Sequence, residues 1–416
     1  MLFLSPVVPA ADGNGLAMRV GFFLQAYAEQ FDIDLAVCPV VASSARSSDF
    51  ACRYAARMTV LPHPGLDAHF GLVAAINDLR ERLAAFRRFG RPSIAAFSIE
   101  TARHALSDWT SGRPYDVVHV SRAYLGELAI RWAAMARNPQ SAMVVDCDED
   151  DARAYRRLAA LNRSEGRTAQ AAWAEAEADA FAGLAQATLR RFDLAFVASS
   201  DELTSLPAAG TRIVVVPNVP PVSRGGHVSS RRANRTVLFV GTMSYAPNED
   251  AARWLIARVL PRLQRACGAH VEIHIVGSNP SAALRRLGQQ ANVAVSGTVS
   301  DVGPCYHRAD LAVVPLRVGG GTRIKILEAA AWGVPIVSTT LGAEGTSFRH
   351  GRDLLIADDA QQFVGACARL LRDKPYARGL AARARRRIAW DYDRIRWSRR
   401  VAGLVAGLAV DGRADG

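Results

Sequence analysis

"LRVGGGTRIKILEAAAWGVPIVSTT", residues Leu316–Thr340, sets three successive glycines against an arginine, a lysine and a glutamate and then runs into an apolar segment. The apolar residues just before it, Leu311–Pro315, read as a strand, which makes "LRVGGG" the loop at a strand's carboxyl end. A helix is expected from about Thr322 to Trp332, stopped by Gly333 with Pro335 beyond. Gly319, Gly320 and Gly321 carry no Cβ, so backbone N–H groups in the loop can approach a ligand closely. A helix start adds unpaired N–H donors and partial positive charge, and loop and helix together form an anion site. Arg323 and Lys325 place two cations at the end of a helix that disfavours them unless an anion compensates. Glu328 follows about one and a half turns further in. A carboxylate there reaches past phosphates to accept two vicinal hydroxyls, as in ribose recognition. Together these residues describe a site for a nucleotide diphosphate; the other reading is a plain loop with solvated cations.

Outward from this stretch, short β-branched runs alternate with helical patterns along nearly the whole chain. In the first half the strand candidates are Leu2–Val8, Ile33–Val40, Val117–Val120, Ala142–Asp146, Leu194–Ala198 and Ile213–Val216, with helices such as Arg19–Gln30 and Ala169–Arg190 between them. A stretch rich in Pro, Gly, Ser and Arg, Val215–Arg235, is the linker candidate. The alternation then restarts with Thr236–Gly241, Val271–Gly277, Val293–Val295, Leu311–Pro315, Pro335–Ser338 and Leu354–Ile356. Continuous apolar strands with intervening helices predict parallel sheets covered on both faces. The expected fold class is α/β, two doubly wound Rossmann-like domains, with ligands held beyond the carboxyl ends of the strands.

A chain of 416 residues suits two such domains, and 50% hydrophobic with 22% charged residues is globular composition. The net charge of +12 favours anionic partners, or reflects a generally arginine-rich surface. The densest run, Arg383–Arg387, comes with no zinc-finger spacing or RNA-recognition signature, so nucleic acid is not an expected partner. Six cysteines without a CxxC read as reduced thiols of a cytoplasmic protein. The amino-terminal "MLFLSPVVPAADG" lacks a basic n-region and reads as a first strand, and Val401–Val410 is too short to span a bilayer. The stretch Leu72–Arg91 alternates apolar and basic positions at helical spacing, which suits either a half-buried helix or one lying on an anionic membrane face.

"GGGTRIKILEAAAWGVPIVSTTLGAEG" (Gly319–Gly345) resembles the donor-binding motif of family 4 (group 1) retaining glycosyltransferases of the GT-B fold. The resemblance extends through "GNGLAMR" (Gly13–Arg19), "FDLAFVASSDE" (Phe192–Glu202), "VLFVGTM" (Val237–Met243), "HIVGSNP" (His274–Pro280), "SGTVSDVGPCYHRADLAVVPL" (Ser296–Leu316) and "AWDYDRI" (Ala389–Ile395), in family order. It implies an acceptor-side domain over 1–216, a linker over 217–235, a nucleotide-sugar-binding domain over 236–388, and over 389–416 a helix crossing back with its tail. The two domains of that family face a central cleft. The donor-binding residues it implies are Gly13, Asn14 and Gly15 after the first strand, Gly241, and Gly319, Gly320, Gly321, Thr322, Arg323, Ile324, Lys325 and Glu328, with Glu344 as a ligand to a sugar hydroxyl. For Gly13–Gly15 a plain βα turn, and for Glu344 packing near a turn, are the other readings.

The sequence departs from the family at three places. Glu328 takes the second place of E-x7-E, but Gly320 stands at the first. The loop Gly241–Asp250, "GTMSYAPNED", lacks the Arg and Lys that neutralise the pyrophosphate in many members, and Arg323 and Lys325 are expected to supply that charge. His119 holds the first place of an HxH whose second is Ser121; the resemblance puts His119 near the transferred sugar, and an ordinary hydrogen-bonded core histidine is the alternative. Asp146-x-Asp148 can be read as a metal-binding DxD, but its position before a helical segment suits capping instead.

The resemblance therefore implies a retaining hexosyltransferase with His119, Arg323 and Lys325 as catalytic groups, no metal and no cofactor. Its substrate would be a UDP- or GDP-linked sugar, and its acceptor a glycan or lipid-linked glycan of bacterial exopolysaccharide or cell-envelope assembly. It would be cytoplasmic or peripheral on the inner membrane face. The alternatives are a nucleotide-sugar epimerase on the same fold and a non-catalytic nucleotide-binding scaffold subunit.

Overall fold

The computed structural model describes residues 1–40, 48–135, 141–203, 206, 210–220, 234–321 and 323–414. Thr322 and positions 221–233 of the expected linker lie outside the described residues. Contacts divide the chain into two units. Met1–Ala11, Leu16–Pro217 and the chain from Ile395 onward form one, and Asp12–Gly15 with Asn218–Arg394 form the other.

The first unit holds β1 (Leu2–Ser5), β2 (Asp34–Val37), β3 (Arg57–Val60), β4 (Val117–Ser121), β5 (Ala142–Asp148), β6 (Leu194–Val197) and β7 (Arg212–Val215). They form one sheet in the order β3-β2-β1-β4-β5-β6-β7, parallel throughout. The second unit holds β8 (Arg235–Val240), β9 (Val271–Val276), β10 (Val293–Ser296), β11 (Leu311–Val314), β12 (Ile336–Ser338) and β13 (Leu355–Ile356). Their order is β10-β9-β8-β11-β12-β13, again all parallel. In each sheet the order reverses once, between β1 and β4 and between β8 and β11. At such a switch point neighbouring loops part and leave room for a ligand beyond the strand ends.

Central strands are buried along their whole length, as helices on both faces require: β1, β2, β4, β6, β11 and β12 expose no residue. The edge strand β3, "RMTV", is an addition to the expected set. Its residues are only half-buried, so it lacks the continuous apolar run by which the other strands declare themselves. Instead Arg57 holds it, 3.0 Å from Asp34 on β2 and 4.7 Å over the Trp109 ring.

The expected helix over Leu72–Arg91 is corrected to two, Ala68–Ala75 and Leu79–Phe89. Asp67 caps the first and Asp78 the second, each accepting from backbone N–H groups of the following turn, and Gly90 closes the second in a left-handed conformation. A capping aspartate inside an otherwise helical pattern ended one helix and began another. Among the described residues no helix is long and apolar enough to cross a membrane.

In the first unit, Arg19 is buried on the Gly15–Tyr27 helix and donates through Nε and Nη2 to both carboxylate oxygens of Asp146 at 2.8 and 2.7 Å. Its Nη1 donates to the Val216 carbonyl at 2.9 Å. One guanidinium therefore ties a helix, the end of β5 and the chain beyond β7. Arg19→Met should lower the stability of this unit by about 3–5 kcal/mol, because Asp146 would keep a buried charge without a partner. Hydrogen exchange along β4 and β5 would measure the loss. Arg19→Met with Asp146→Leu should recover most of it, whereas equal loss in both variants would contradict the ion-pair account.

Candidate functional site

β11 ends at Val314, and the chain then runs over the sheet's switch point to the helix Ile324–Trp332. Arg317 fastens this loop, donating to both oxygens of Asp250 at 3.0 and 2.6 Å. Gly319 and Gly321 turn it with φ of +118° and +73°, left-handed conformations that favour glycine. A Cβ on Gly319 would also stand 3.1 Å from Arg323 Nη2. The helix starts slightly later than the sequence suggests: Arg323 is the N-cap, Ile324 the first residue and Lys325 the second, and no side chain caps the start.

Arg323 is only 7% exposed. Its guanidinium bends back so that Nη1 donates to the Gly320 carbonyl, while Nε and Nη2 are enclosed with no protein acceptor. Lys325 turns the other way. Its Nζ donates to Asn248 Oδ1 at 2.5 Å and lies 4.9 Å from the Phe239 ring centroid, at the end of β8. Asn248 is aimed by its own Nδ2, which donates to the Thr242 carbonyl at 2.9 Å. Gly241 permits this approach, because a Cβ there would stand 3.0 Å from Nζ and 2.8 Å from Asn248 Nδ2. Burial, with the nearby charge of Arg323 adding to it against Glu328, pushes the Lys325 ammonium down to about 7.

Glu328 lies further along the same helix, 4% exposed. Oε2 accepts from the Tyr306 hydroxyl at 3.2 Å; Oε1 is enclosed without a partner. Burial raises its carboxyl to about 7, opposed by the Tyr306 hydrogen bond and the Lys325 charge. The ends of β8 and β11 thus gather a buried guanidinium with two orphan donors, a half-buried lysine, an orphan carboxylate oxygen and a helix start. Chemically, that set is suited to an anion and a hydroxyl donor together.

Gly241, Gly319, Gly320, Gly321, Arg323, Ile324, Lys325 and Glu328 therefore share one neighbourhood, and the expected Thr322 lies outside the described residues. Glu344 sits one strand over, as the half-buried C-cap of the short helix after β12. Gly13, Asn14 and Gly15 lie on the turn between β1 and the Gly15–Tyr27 helix, with Gly13 at φ +90°.

His119 is a correction. The imidazole is wholly buried on β4, with the rings of Phe3, Phe23 and Tyr27 at 4.5, 5.1 and 5.3 Å and Nδ1 3.1 Å from the Tyr27 hydroxyl. Burial first, and the Arg19 charge second, push it down to about 3. It is a neutral, wholly buried residue of the first unit's core. The strand's alternation could place the ring on one face of the sheet, but not say that an aromatic layer covers that face. Asp146 and Asp148 face Arg19, and Asp148 also faces Arg122. The capping role belongs to Asp150, which accepts from the Arg153 N–H at 3.0 Å.

Asn248 and Tyr306 were not singled out in the sequence. Asn248, in "APNED" after β8, had a positional signal, the first turn of a helix at a strand end; Tyr306, ahead of β11, had none.

Residues 234–373 match the family model described as glycosyl transferases group 1. Curated proteins similar to part of the chain include an uncharacterized 44.6 kDa protein in the cps region of Klebsiella pneumoniae, 27% identical over 32% of this chain and 36% of that one. A second is the GDP-mannose-dependent alpha-(1-6)-phosphatidylinositol monomannoside mannosyltransferase of Mycobacterium tuberculosis, 28% identical over 38% of this chain and 44% of that one. The chain matches less than half the length of these relatives. Solved structures are similar over nearly its whole length. Sucrose-phosphate synthase of Thermosynechococcus elongatus aligns with a TM-score of 0.70 at 15% identity, covering 99% of both chains. Anabaena Alr3699/HepE, solved in complex with UDP and glucose, aligns at 0.62 with 14% identity over 98% and 99% of the two chains. The chain thus has the GT-B fold, two parallel Rossmann-like sheets with helices.

Gly319→Ala should weaken the second unit by about 1–3 kcal/mol, since it strains a left-handed position and crowds the Arg323 guanidinium. Gly297→Ala, where a Cβ would meet nothing within 4 Å, is the control. Denaturant titration of both reads the difference, and equal stability would refute the close approach at Gly319.

Proposed function

We propose that this protein is a glycosyltransferase that moves a sugar, with retention, from a nucleotide-diphosphate donor to a glycan or lipid-linked acceptor in polysaccharide or cell-envelope assembly. The observation that carries the proposal is the pairing of enclosed, unpartnered Arg323 donors with an enclosed, unpartnered Glu328 oxygen at one helix start in the segment that matches the group 1 model. A nucleotide diphosphate satisfies both, its phosphates meeting the cations and its ribose the carboxylate. Alr3699/HepE, of the same fold, binds UDP and glucose, and the mycobacterial relative is named as GDP-mannose-dependent. These support a UDP- or GDP-linked sugar as donor.

In the proposed reaction an acceptor hydroxyl oxygen bonds to the anomeric carbon as the bond from that carbon to the phosphate oxygen breaks. The electron pair leaves with the nucleotide, and the hydroxyl proton passes to the departing phosphate. Arg323, Lys325 and the loop amides stabilise the negative charge that grows there, a preorganised electrostatic contribution. Lys325 delivers its charge to the loop after β8, the place where the resembled family carries its own cations. No step requires a metal or cofactor.

Calorimetric titration with UDP, GDP and ADP, without added metal, tests this reading. One of them should bind saturably, Glu328→Ala should weaken that binding about tenfold or more, and the pair Arg323→Ala with Lys325→Ala should abolish it. Affinity should peak near neutral pH. Lys325 is charged below about 7 and loses its proton above it, while Glu328 is ionised above about 7 and neutral below. Lys325→Ala should accordingly remove the alkaline fall. Absence of binding by any of the three would refute the nucleotide site. Binding with turnover of the donor sugar alone, and no acceptor, would point to an epimerase; binding without turnover would point to a scaffold subunit.

We also propose that the protein works at the inner face of the membrane, docking on anionic lipid. Leu66 and Leu72 are 56% and 68% exposed, and Arg80, Arg87 and Arg88 are exposed on the adjoining Leu79–Phe89 helix. Apolar tips beside a basic face suit an anionic interface. The chain should co-float with phosphatidylglycerol vesicles but not with phosphatidylcholine vesicles, and Arg80, Arg87 and Arg88 changed together to Glu should release it. Equal behaviour on both vesicle types would exclude this docking.

A further inference from the structure

The two oxygens of Glu328 occupy different environments. Oε2 has the Tyr306 hydroxyl at 3.2 Å, and Oε1 is enclosed without a protein partner. Neither nearby cation takes that oxygen: Arg323 donates to Gly320 and Lys325 to Asn248. The vacancy suits a neutral donor, since a cationic one would be repelled by both residues.

Tyr306 is itself 1% exposed, on the short helix Gly303–Arg308. That helix sits close against Trp332 at the far end of the Glu328 helix; a Cβ on Gly303 would stand 2.7 Å from the indole. Burial and the neighbouring carboxylate hold the phenol protonated, so it remains a hydrogen-bond donor. Its other acceptor is the Lys325 carbonyl at 3.5 Å, a longer contact than that to Glu328.

We infer that Tyr306 is a positioning residue of the nucleotide site. By occupying Oε2 it fixes the Glu328 carboxylate so that Oε1 meets a ligand hydroxyl, and the site thereby selects ribose over sugars that lack the hydroxyl. This rests on the nucleotide reading above. A site built to hydrogen-bond a hydroxyl discriminates against the analogue without it, because its buried acceptor is then left unpaired.

The test is calorimetry of wild type, Tyr306→Phe and Glu328→Gln, using whichever of UDP, GDP and ADP binds and its 2′,3′-dideoxy form. Wild type should prefer the ribonucleotide by about tenfold or more, the scale of one hydrogen bond to a charged group. Tyr306→Phe should cut that ratio at least about threefold, as expected when a carboxylate loses its fixed orientation, while dideoxy affinity stays unchanged. Glu328→Gln should reduce the preference as well.

An undiminished ratio in Tyr306→Phe would overturn the inference. Equal weakening of both ligands would also overturn it, since Tyr306 would then merely support the fold. Wild type that binds both forms equally would leave the nucleotide site standing and remove this inference alone. Failure to bind any nucleotide diphosphate would remove both.

Discussion

The local arrangement of the second unit depends on a half-buried lysine ammonium held at the ends of β8 and β11. Lys325 reaches from the start of the Ile324–Trp332 helix to Asn248 and the Phe239 ring. Burying an ammonium is unfavourable unless polar partners replace its hydration, and here one amide oxygen does so in part. The neighbouring guanidinium makes the position more unfavourable still. Several local features follow from accommodating that charge. Gly241 leaves space for Nζ, Asn248 is turned by the Thr242 carbonyl to present its oxygen, and Glu328 supplies the opposing charge.

Arg19 and Arg122 of the first unit are handled differently. Arg19 spends its donors on Asp146 and Val216, and Arg122 places Nη2 on Asp151 at 2.6 and 2.8 Å. Those pairs close on themselves. In the second unit the corresponding atoms, Nε and Nη2 of Arg323 and Oε1 of Glu328, stay unmatched. An unsatisfied buried donor beside an unsatisfied buried acceptor lowers stability until something supplies both partners. The same comparison explains His119, whose aromatic surroundings keep it neutral and within the core, although its unpartnered Nε2 superficially suggests a site.

The departures at Gly320 and at the loop after β8 also acquire a physical sense. Where the resembled family carries a glutamate, Gly320 offers a bare carbonyl, and Arg323 Nη1 folds back onto it. Where the family carries cations after its first carboxyl-terminal strand, this chain brings Lys325 to the same strand end from the neighbouring helix. Positive charge is thus presented at the switch point of the sheet by residues from a different segment, with the helix start contributing its own partial charge.

Much of this was legible in the sequence because it depends on local pattern. Buried parallel strands must be apolar throughout, so their alternation with helices predicted both sheets; three glycines followed by two cations at a strand end predicted an anion site from the chemistry of N–H groups and the helix dipole. What escaped was whatever depends on partners distant along the chain. Lys325 meets Asn248 across 77 residues, Tyr306 meets Glu328 across 22, and Arg19 meets Asp146 across 127. Strand β3 escaped because an edge strand need not be apolar, and the break before Leu79 because one aspartate can cap a helix or decorate it. The sequence by itself determined which segments form the sheets and where charge gathers. Only the tertiary structure decided which charges are answered within the protein and which stay unmatched, since that depends on strand order, and strand order brings together residues that no local pattern connects.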